Sequence, residues 1–339
     1  GYIASWVIQN LLQQGYTIHA TVRDLNKKHS FAHLEKIAQA SAGTLKLFKA
    51  NLLENGSFDE AMQGCEIVLH MASPFVVTNY KDAVKDIIEP AILGTENVLN
   101  SVNKTESVKR VVVTSSIAST YGDAVDILNT EHNEFDESHW NTTSSTTHQP
   151  YPYSKVMAER KAWDMAKAQD RWTLVCVNPA LVLGASLTPN TQSGSVEVLE
   201  QFANGMTLLG VPPMWNGIVD VRDVADAHIL AATHEHASGR YILSGGSLSL
   251  LEMGKILRQH FGQKFPFPRN QVPKKAFKLI GPIFGYSKDF IERNMGYPIY
   301  FNADKSKKEL GMSYRNIENS LVEHFQQLLE DGVVKKYIP

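Results

Sequence analysis

The sequence predicts an α/β chain built on a doubly wound parallel sheet, with a smaller, mainly helical second lobe. Three observations predict it. Short β-branched runs alternate with helical patterns through the first two-thirds of the chain. Those runs are apolar nearly throughout, as suits parallel strands covered on both faces. After Pro179 the rhythm gives way to Gly-, Ser-, Thr-, Asn- and Pro-rich loops and then to helices. Regular β–α alternation implies right-handed crossovers, and places a ligand at the carboxyl ends of the strands.

The elements follow in order. Ile3, Val7 and Leu11 fall at i, i+4 and i+8, Ile8 and Leu12 widen the stripe, and Gly15 closes this first helix as a C-cap. Strands are predicted at Thr17–Val22, Thr44–Phe48, Glu66–Met71, Arg110–Ser115 and Thr173–Asn178. Helices are predicted near residues 57–63, 84–103 and 151–169. The first of these opens on Ser57-Phe58-Asp59-Glu60, a capping-box spacing. Residues 184–217 read as loops around one helix, Val196–Asn204. A strand–helix signal returns at Val219–Thr233 and a strand at Tyr241–Leu243. From Ser249 the pattern is helical, with amphipathic segments near 274–280, 286–293 and 316–331. The lobes interleave: residues 1–185 with about 217–246 form one domain, and about 186–216 with 247–339 the other.

Composition excludes several classes. The 339 residues are 43% apolar and 20% charged with a net charge of −2, so neither disorder nor a nucleic-acid partner is expected. No window approaches the ~18 unbroken apolar residues of a membrane span. Cys65 and Cys176 match neither a metal spacing nor a disulfide framework, which fits a reducing, cytoplasmic setting.

Tyr151-Pro152-Tyr153-Ser154-Lys155 is the first chemical candidate. Tyr151 and Lys155 are four apart and share a helical face, and Pro152 is tolerated only if the helix starts here. An ammonium one turn from a phenol favours phenolate, so the spacing predicts a lowered Tyr151 pKa and a usable acid–base group. Spacing alone also fits a surface aromatic beside a solvated lysine. A second signal agrees: Val111-Val112-Val113 ends in Thr114-Ser115-Ser116, hydroxyls where a parallel strand delivers functional groups. Small residues also end two other strands, at Met71-Ala72-Ser73-Pro74 and Asn178-Pro179-Ala180, leaving room for a flat ligand. Arg23 closes the strand Thr17–Val22, followed by Asp24, Lys27 and Lys28. An acid at that place accepts from a ribose 2′-hydroxyl and an Arg pairs with a 2′-phosphate, so Arg23 favours NADP(H) while Asp24 keeps NAD open. His19, His70 and His228 sit in apolar contexts and read as hydrogen-bonded core or crevice groups. Phe75, Tyr153, Met214, Trp215 and Phe284 line an apolar pocket or belong to the core.

With Gly1-Tyr2-Ile3-Ala4, Thr21-Val22-Arg23-Asp24, Thr114-Ser115-Ser116, Tyr151-x-x-x-Lys155 and Asn178-Pro179-Ala180-Leu181-Val182-Leu183-Gly184 in order, the chain resembles the extended short-chain dehydrogenase/reductases. It is most similar to the branch of dihydroflavonol reductases, cinnamoyl-CoA reductases and fungal aldehyde/ketone reductases, a likeness that Asp136-Glu137-Ser138-x-Trp140 extends. The resemblance implies a Rossmann-type sheet and NADPH-dependent reduction of a carbonyl. Tyr151 would give the proton, Lys155 would hold the nicotinamide ribose, and Ser116, rather than Ser115, would bond the carbonyl oxygen. Gly1 and the backbone of Tyr2 and Ile3 would face the pyrophosphate at a helix N-terminus. Arg23 with Lys28 would bind the 2′-phosphate, and Asn51-Leu52 would lie near the adenine. Ala72 and Ser73 would flank the dinucleotide, Pro179 and Val182 would meet the nicotinamide, and Ser195 would reach the phosphates.

There are departures from the pattern. Ala4 stands for the third glycine. Thr120 replaces the Asn that flavonoid reductases place four residues after the serine, and the Cys-containing segment of cinnamoyl-CoA reductases is absent. The substrate implied is a small-molecule aldehyde or ketone of unspecified structure, acted on by a monomer or homodimer. A sugar-nucleotide epimerase or dehydratase would use the same Tyr and Lys. A non-catalytic dinucleotide-sensing protein would be expected to lose one of them. In this fold a central strand precedes the first helix, so the sequence also predicts one further short strand and its turn upstream of Gly1.

Overall fold

A computed structural model describes residues 1–73, 81–189 and 193–335. Helix α1 (Tyr2–Gln13) buries Val7 and Leu12, and Gly15 follows at φ +87, a left-handed turn that only glycine adopts without strain. Strand β1 (Thr17–Val22) then pairs in parallel with β2 (Thr44–Lys49) across the short helix α2 (Ala32–Gln39). The helical pattern near 57–63 shrinks to α3 (Asp59–Met62), and the capping box does not form. Ser57 instead donates to the Asn51 carbonyl at 2.7 Å, and the Asp59 carboxylate reaches across to Ser101 and to Lys104 Nζ at 2.9 Å. With its hydroxyl bonded back to the Asn51 backbone, Ser57 does not cap the turn at Asp59–Met62.

The second sheet has the order β3 (Ile67–His70), β4 (Arg110–Thr114), β5 (Thr173–Pro179) and β8 (Gly239–Leu243), all parallel. It is hydrogen-bonded separately from β1–β2. Its two faces are read off the alternation within each strand. Val111, Val113, Leu174 and Cys176 pack with α4 (Glu89–Lys104) and α5 (Pro150–Lys167) through Val98, Leu99, Val102 and Ala162. Val112, Val175 and Val177 face the other way, against Val224, Ala227 and Ala231 of α7 (Val221–Thr233). Continuous apolar strands thus arise from helices on both faces, which is the doubly wound arrangement.

A third sheet joins β6 (Leu181–Leu183), β7 (Trp215–Asp220) and β9 (Gly246–Ser249); β6–β7 is parallel and β7–β9 antiparallel. Around it lies a second core, drawn from α6 (Gly194–Ala203), α8 (Leu250–Phe261), the Pro- and Phe-rich segment and α12 (Ile317–Glu330). Leu199, Phe202, Met253, Leu257, Phe267, Leu321 and Phe325 are all essentially inaccessible there. Between these elements run α9 (Lys274–Ile280), α10 (Lys288–Asn294) and α11 (Asp304–Leu310). The stretch before and through α11 crosses back to the first lobe: Phe135 N donates to the Tyr300 carbonyl at 2.9 Å, and Leu310 and Met312 join the sheet core.

Leu99 has no exposed surface in the α4–sheet interface. Leu99→Ala is expected to destabilise the fold by about 2–5 kcal/mol, the range for truncating a buried leucine. A loss below about 1 kcal/mol in denaturant unfolding would contradict the packing described.

Candidate active site

Helix α5 organises the site. Its first turn holds Pro150 and Pro152, whose missing N–H groups are not needed there, and the first intrahelical donor is Tyr153 N to the Gln149 carbonyl at 3.1 Å. The helix is entered from Gln149, a left-handed residue at φ 53 and ψ 62. Its inner face then presents Tyr151, Lys155 and Glu159 one turn apart, at the spacing the sequence shows.

Lys155 is 8% exposed and lines a cavity at the carboxyl ends of β3 and β4, with Leu52, Ala72, Ser73, Thr95, Thr114 and Ser115 among its neighbours. Its ammonium donates to Ser73 Oγ at 2.8 Å and stands 5.6 Å from the centre of the Tyr151 ring. Burial brings Lys155 down from 10.5 to about 8. Burial also pushes the Tyr151 phenol up, from 10 to about 12. This corrects the lowered Tyr151 pKa that the spacing predicts. In a dry crevice both charged forms lose hydration, and the loss outweighs the attraction across the ring.

Ser116 lies just past β4 and caps a short 3-10 turn, Ile117–Ser119, its Oγ accepting from Ala118 N at 3.1 Å. Ser115 points elsewhere: its hydroxyl donates to the buried Glu159 carboxylate. Thr114 is also engaged. His228 donates from Nδ1 to the Val224 carbonyl at 2.7 Å, so its Nε2 accepts the Thr114 hydroxyl at 2.6 Å. Burial holds His228 down at about 4. His70 is likewise lowered to about 4, by burial and then by Lys155, and it donates to Thr95 Oγ1 at 3.4 Å. With His19 at 2.8 Å from the Ala61 carbonyl, all three histidines are the hydrogen-bonded groups expected.

The remaining predicted residues divide. Leu52, Ala72 and Ser73 line the cavity with Lys155. Arg23, Lys28 and Asn51 are exposed, and Arg23 and Asn51 follow the in-register ends of β1 and β2, on one edge. Gly1 is the N-cap of α1, where the first backbone N–H groups have no intrahelical acceptor. The Ile3 side chain packs on the core beside Val7 and Ile229, and the Tyr2 hydroxyl donates to the Gly184 carbonyl. Pro179 ends β5, and Val182 in β6 packs against the sheet core. Ser195 is buried in α6 with its hydroxyl 2.8 Å from that of Ser193. Of the residues read as pocket or core, Trp215 and Met214 pack in two separate clusters and Phe284 is largely exposed. Tyr153 is half-buried, while Pro74 and Phe75 lie outside the described residues.

The residue types fit a phosphorylated dinucleotide. Among the described residues Arg23 makes no ion pair, which leaves its guanidinium available on the exposed edge. Gly94 lets α4 approach so closely that a Cβ there would come within 3.3 Å of Leu52. Ala72, Ala91 and Gly94 keep the cavity wall low.

The profile of the NAD dependent epimerase/dehydratase family matches residues 1–243. The chain belongs to that family, the extended short-chain dehydrogenase/reductases. Among its relatives is the cinnamoyl-CoA reductase CAD2 of Medicago truncatula, 38% identical over 97% of this chain and 93% of that protein. An anthocyanidin reductase of Arabidopsis thaliana is 38% identical over 77% of this chain and 78% of its own. A solved structure of Gre2 from Candida albicans in complex with NADPH superposes with a TM-score of 0.75 at 27% identity, over 98% of this chain and 96% of that one. Among the described residues no helix is long and apolar enough to cross a membrane, and no acid, histidine or cysteine cluster is arranged to hold a metal.

Sequence reasoning did not single out Glu159, Arg240 or the Asn178 side chain. Glu159 was findable, since it continues the Tyr151–Lys155 spacing by one more turn. Arg240 was not, because its partner is 81 residues away in the chain.

The shifted lysine has a consequence for stability. Its folded pKa is about 8 and its ordinary value 10.5, so between those limits the unfolded chain holds a proton that the folded protein has released. The wild type is therefore expected to gain stability relative to Lys155→Met as pH rises through that window. Urea midpoints at about pH 8 and about pH 10 measure this, and a constant difference would contradict a buried ammonium.

Proposed function

We propose that this chain is an NADPH-dependent reductase of an aldehyde or ketone, with hydride delivered from the nicotinamide. The observation that carries the reading is the buried Lys155 beside Tyr151, on one helix face at the carboxyl edge of the parallel sheet. The reductase relatives and the likeness to Gre2 solved with NADPH support it. Tyr151, protonated at neutral pH because its pKa is about 12, gives its proton to the carbonyl oxygen. Lys155 stabilises the phenolate left behind, and in the same crevice holds hydroxyl groups of the cofactor's ribose. The Ser116 hydroxyl donates to the developing oxyanion, since its oxygen is already committed as acceptor to Ala118 N. Arg23 and Lys28 bind the 2′-phosphate, and the α1 N-terminus at Gly1, Tyr2 and Ile3 receives the pyrophosphate. Asn51 and Leu52 lie by the adenine, Ala72 and Ser73 flank the dinucleotide, Pro179 and Val182 meet the nicotinamide, and Ser195 belongs to the phosphate-side loop. Residues 1–185 with 217–246 hold the cofactor, and 186–216 with 247–339 shape the substrate end.

The test follows NADPH oxidation with benzaldehyde, diacetyl and acetophenone. Tyr151→Phe is expected to lose at least about 100-fold in kcat while binding NADPH normally, and near-wild-type turnover would sink the mechanism. Absence of oxidation with every compound, together with tightly co-purifying dinucleotide, would favour an epimerase or dehydratase instead.

Arg23 carries the cofactor preference. Arg23→Ala is expected to raise KM for NADPH about tenfold and leave that for NADH unchanged, the size of one lost charge-assisted contact. Equal changes for both cofactors would remove the 2′-phosphate role.

A further inference from the structure

Glu159 is 1% exposed, on the α5 face that carries Tyr151 and Lys155. A carboxylate so deep must be surrounded by donors. Its Oε1 accepts from Arg240 Nε at 2.6 Å and from Trp163 Nε1 at 3.3 Å. Its Oε2 accepts from the Ser115 hydroxyl, from Ser119 Oγ at 2.6 Å and from Asn178 Nδ2 at 2.9 Å. Those last three donors bracket Ser116. Ser115 precedes it. Ser119 closes the 3-10 turn onto the Ser116 carbonyl, through its backbone N at 3.0 Å. The Asn178 amide reaches the same carbonyl at 3.2 Å.

We propose that Glu159 is a positioning residue for Ser116, acting through Ser119 and Asn178, with Arg240 fixing the orientation of its carboxylate. The proposal rests on the reading in which Ser116 contacts the substrate carbonyl. The turn 117–119 sets where the Ser116 hydroxyl points, because that hydroxyl is its cap. The turn in turn is tied to the Glu159 carboxylate. A carboxylate, which accepts on both sides, holds the hydroxyls in this orientation. A glutamine in its place turns an NH2 either toward the Arg240 guanidinium and the Trp163 indole, which only donate, or toward the Asn178 amide and the two hydroxyls, which must then rotate away to accept it, the Ser119 hydroxyl toward the Ser116 carbonyl 2.7 Å away. The Arg240 side chain is itself held, donating to the Glu137 carbonyl at 3.0 Å and the His139 carbonyl at 2.6 Å, with the Trp140 ring 4.0 Å from its guanidinium. Trp140 and Glu137 belong to the Asp136-Glu137-Ser138-x-Trp140 segment, whose part in the site is to hold Arg240 against Glu159.

The experiment is a double-mutant cycle on the holoenzyme, with NADPH and whichever compound of the panel above is turned over fastest. Ser116→Ala and Glu159→Gln are each expected to lower kcat on the order of 10- to 100-fold, with the NADPH dissociation constant within about twofold. Glu159→Gln added to Ser116→Ala is expected to lower kcat no further, because a residue acting through Ser116 has nothing left to position. An equal further loss in both backgrounds would assign Glu159 a structural role alone and overturn the proposal. Unchanged kcat in Glu159→Gln overturns it too, while a damaged Ser116→Ala leaves the proposed function standing. Full activity in Ser116→Ala removes the serine's role, and the positioning role with it. If Glu159→Gln does not fold, Ser119→Ala carries the test. It keeps the ion pair, is expected to show the same loss and the same silence in the Ser116→Ala background, and its retention of kcat overturns the proposal.

Discussion

The structure around the site depends on one constraint: a carboxylate and a guanidinium held together out of water. The Glu159–Arg240 pair joins α5 to β8 at 2.6 Å, and neither group is exposed enough to be hydrated. A buried pair repays its desolvation only when every remaining donor and acceptor is matched. Here the matching groups come from the ends of β4 and β5, from the turn after Ser116 and from the carbonyls of residues 137 and 139. Three segments distant in sequence are thereby brought to the buried pair, at the wall of the cavity that Lys155 lines. The backbone ladder of the sheet sets strand order, but it leaves the strand ends free to splay. The buried pair removes that freedom at the edge where chemistry belongs.

The other two groups of the same helix face are buried with different partners. Glu159 has a full complement of donors. The Lys155 ammonium has Ser73 Oγ at 2.8 Å and the flank of an aromatic ring, and burial shifts it toward neutrality. Tyr151 is shifted toward its protonated form for the same reason. One helix, with three side chains at four-residue spacing, thus carries three different electrostatic environments. Between Glu159 and Lys155 the difference lies in the partners that face α5 rather than in α5 itself.

That distinction explains what was legible in the sequence. Strands β3 to β5 were readable because runs such as Val111-Val112-Val113 are apolar on both faces, and the structure sets helices on both. Helix α2 was missed although Leu34, Ile37 and Ala38 share one face, because eight residues make only about two turns and only Leu34 among them is fully buried. The candidate site was legible where it is local: Tyr151 and Lys155 from their spacing, the Thr114-Ser115-Ser116 hydroxyls from their place at a strand end. It was illegible where it depends on distant partners. Spacing predicted a lowered Tyr151 pKa because it shows the neighbouring charge and not the burial. A glutamate eight residues beyond that tyrosine resembles any solvated helical carboxylate until Arg240, Ser119 and Asn178 are placed around it.

A second buried carboxylate extends the argument to the start of the helix. Asp123 has no exposed side-chain surface and accepts from His148 Nε2 at 2.9 Å, Gln149 Nε2 at 2.7 Å and Asn294 Nδ2 at 2.6 Å. Gln149 is the left-handed residue that launches α5, a conformation costing of order 1 kcal/mol for a residue with a Cβ and kept only where its surroundings over-determine it. Asp123 and the Gly122 carbonyl, both bonded to the Gln149 amide, supply that over-determination. Asn294 belongs to α10, in the helical second lobe, so the carboxylate that fixes the entry into Tyr151's turn is also gripped from that lobe. Displacing α10 would have to break a buried charge-assisted bond or drag the first turn of α5 with it. The orientation of Tyr151 and the docking of the helical lobe are therefore one packing problem, solved at Asp123, just as the orientation of Ser116 and the closure of the sheet edge are one problem solved at Glu159.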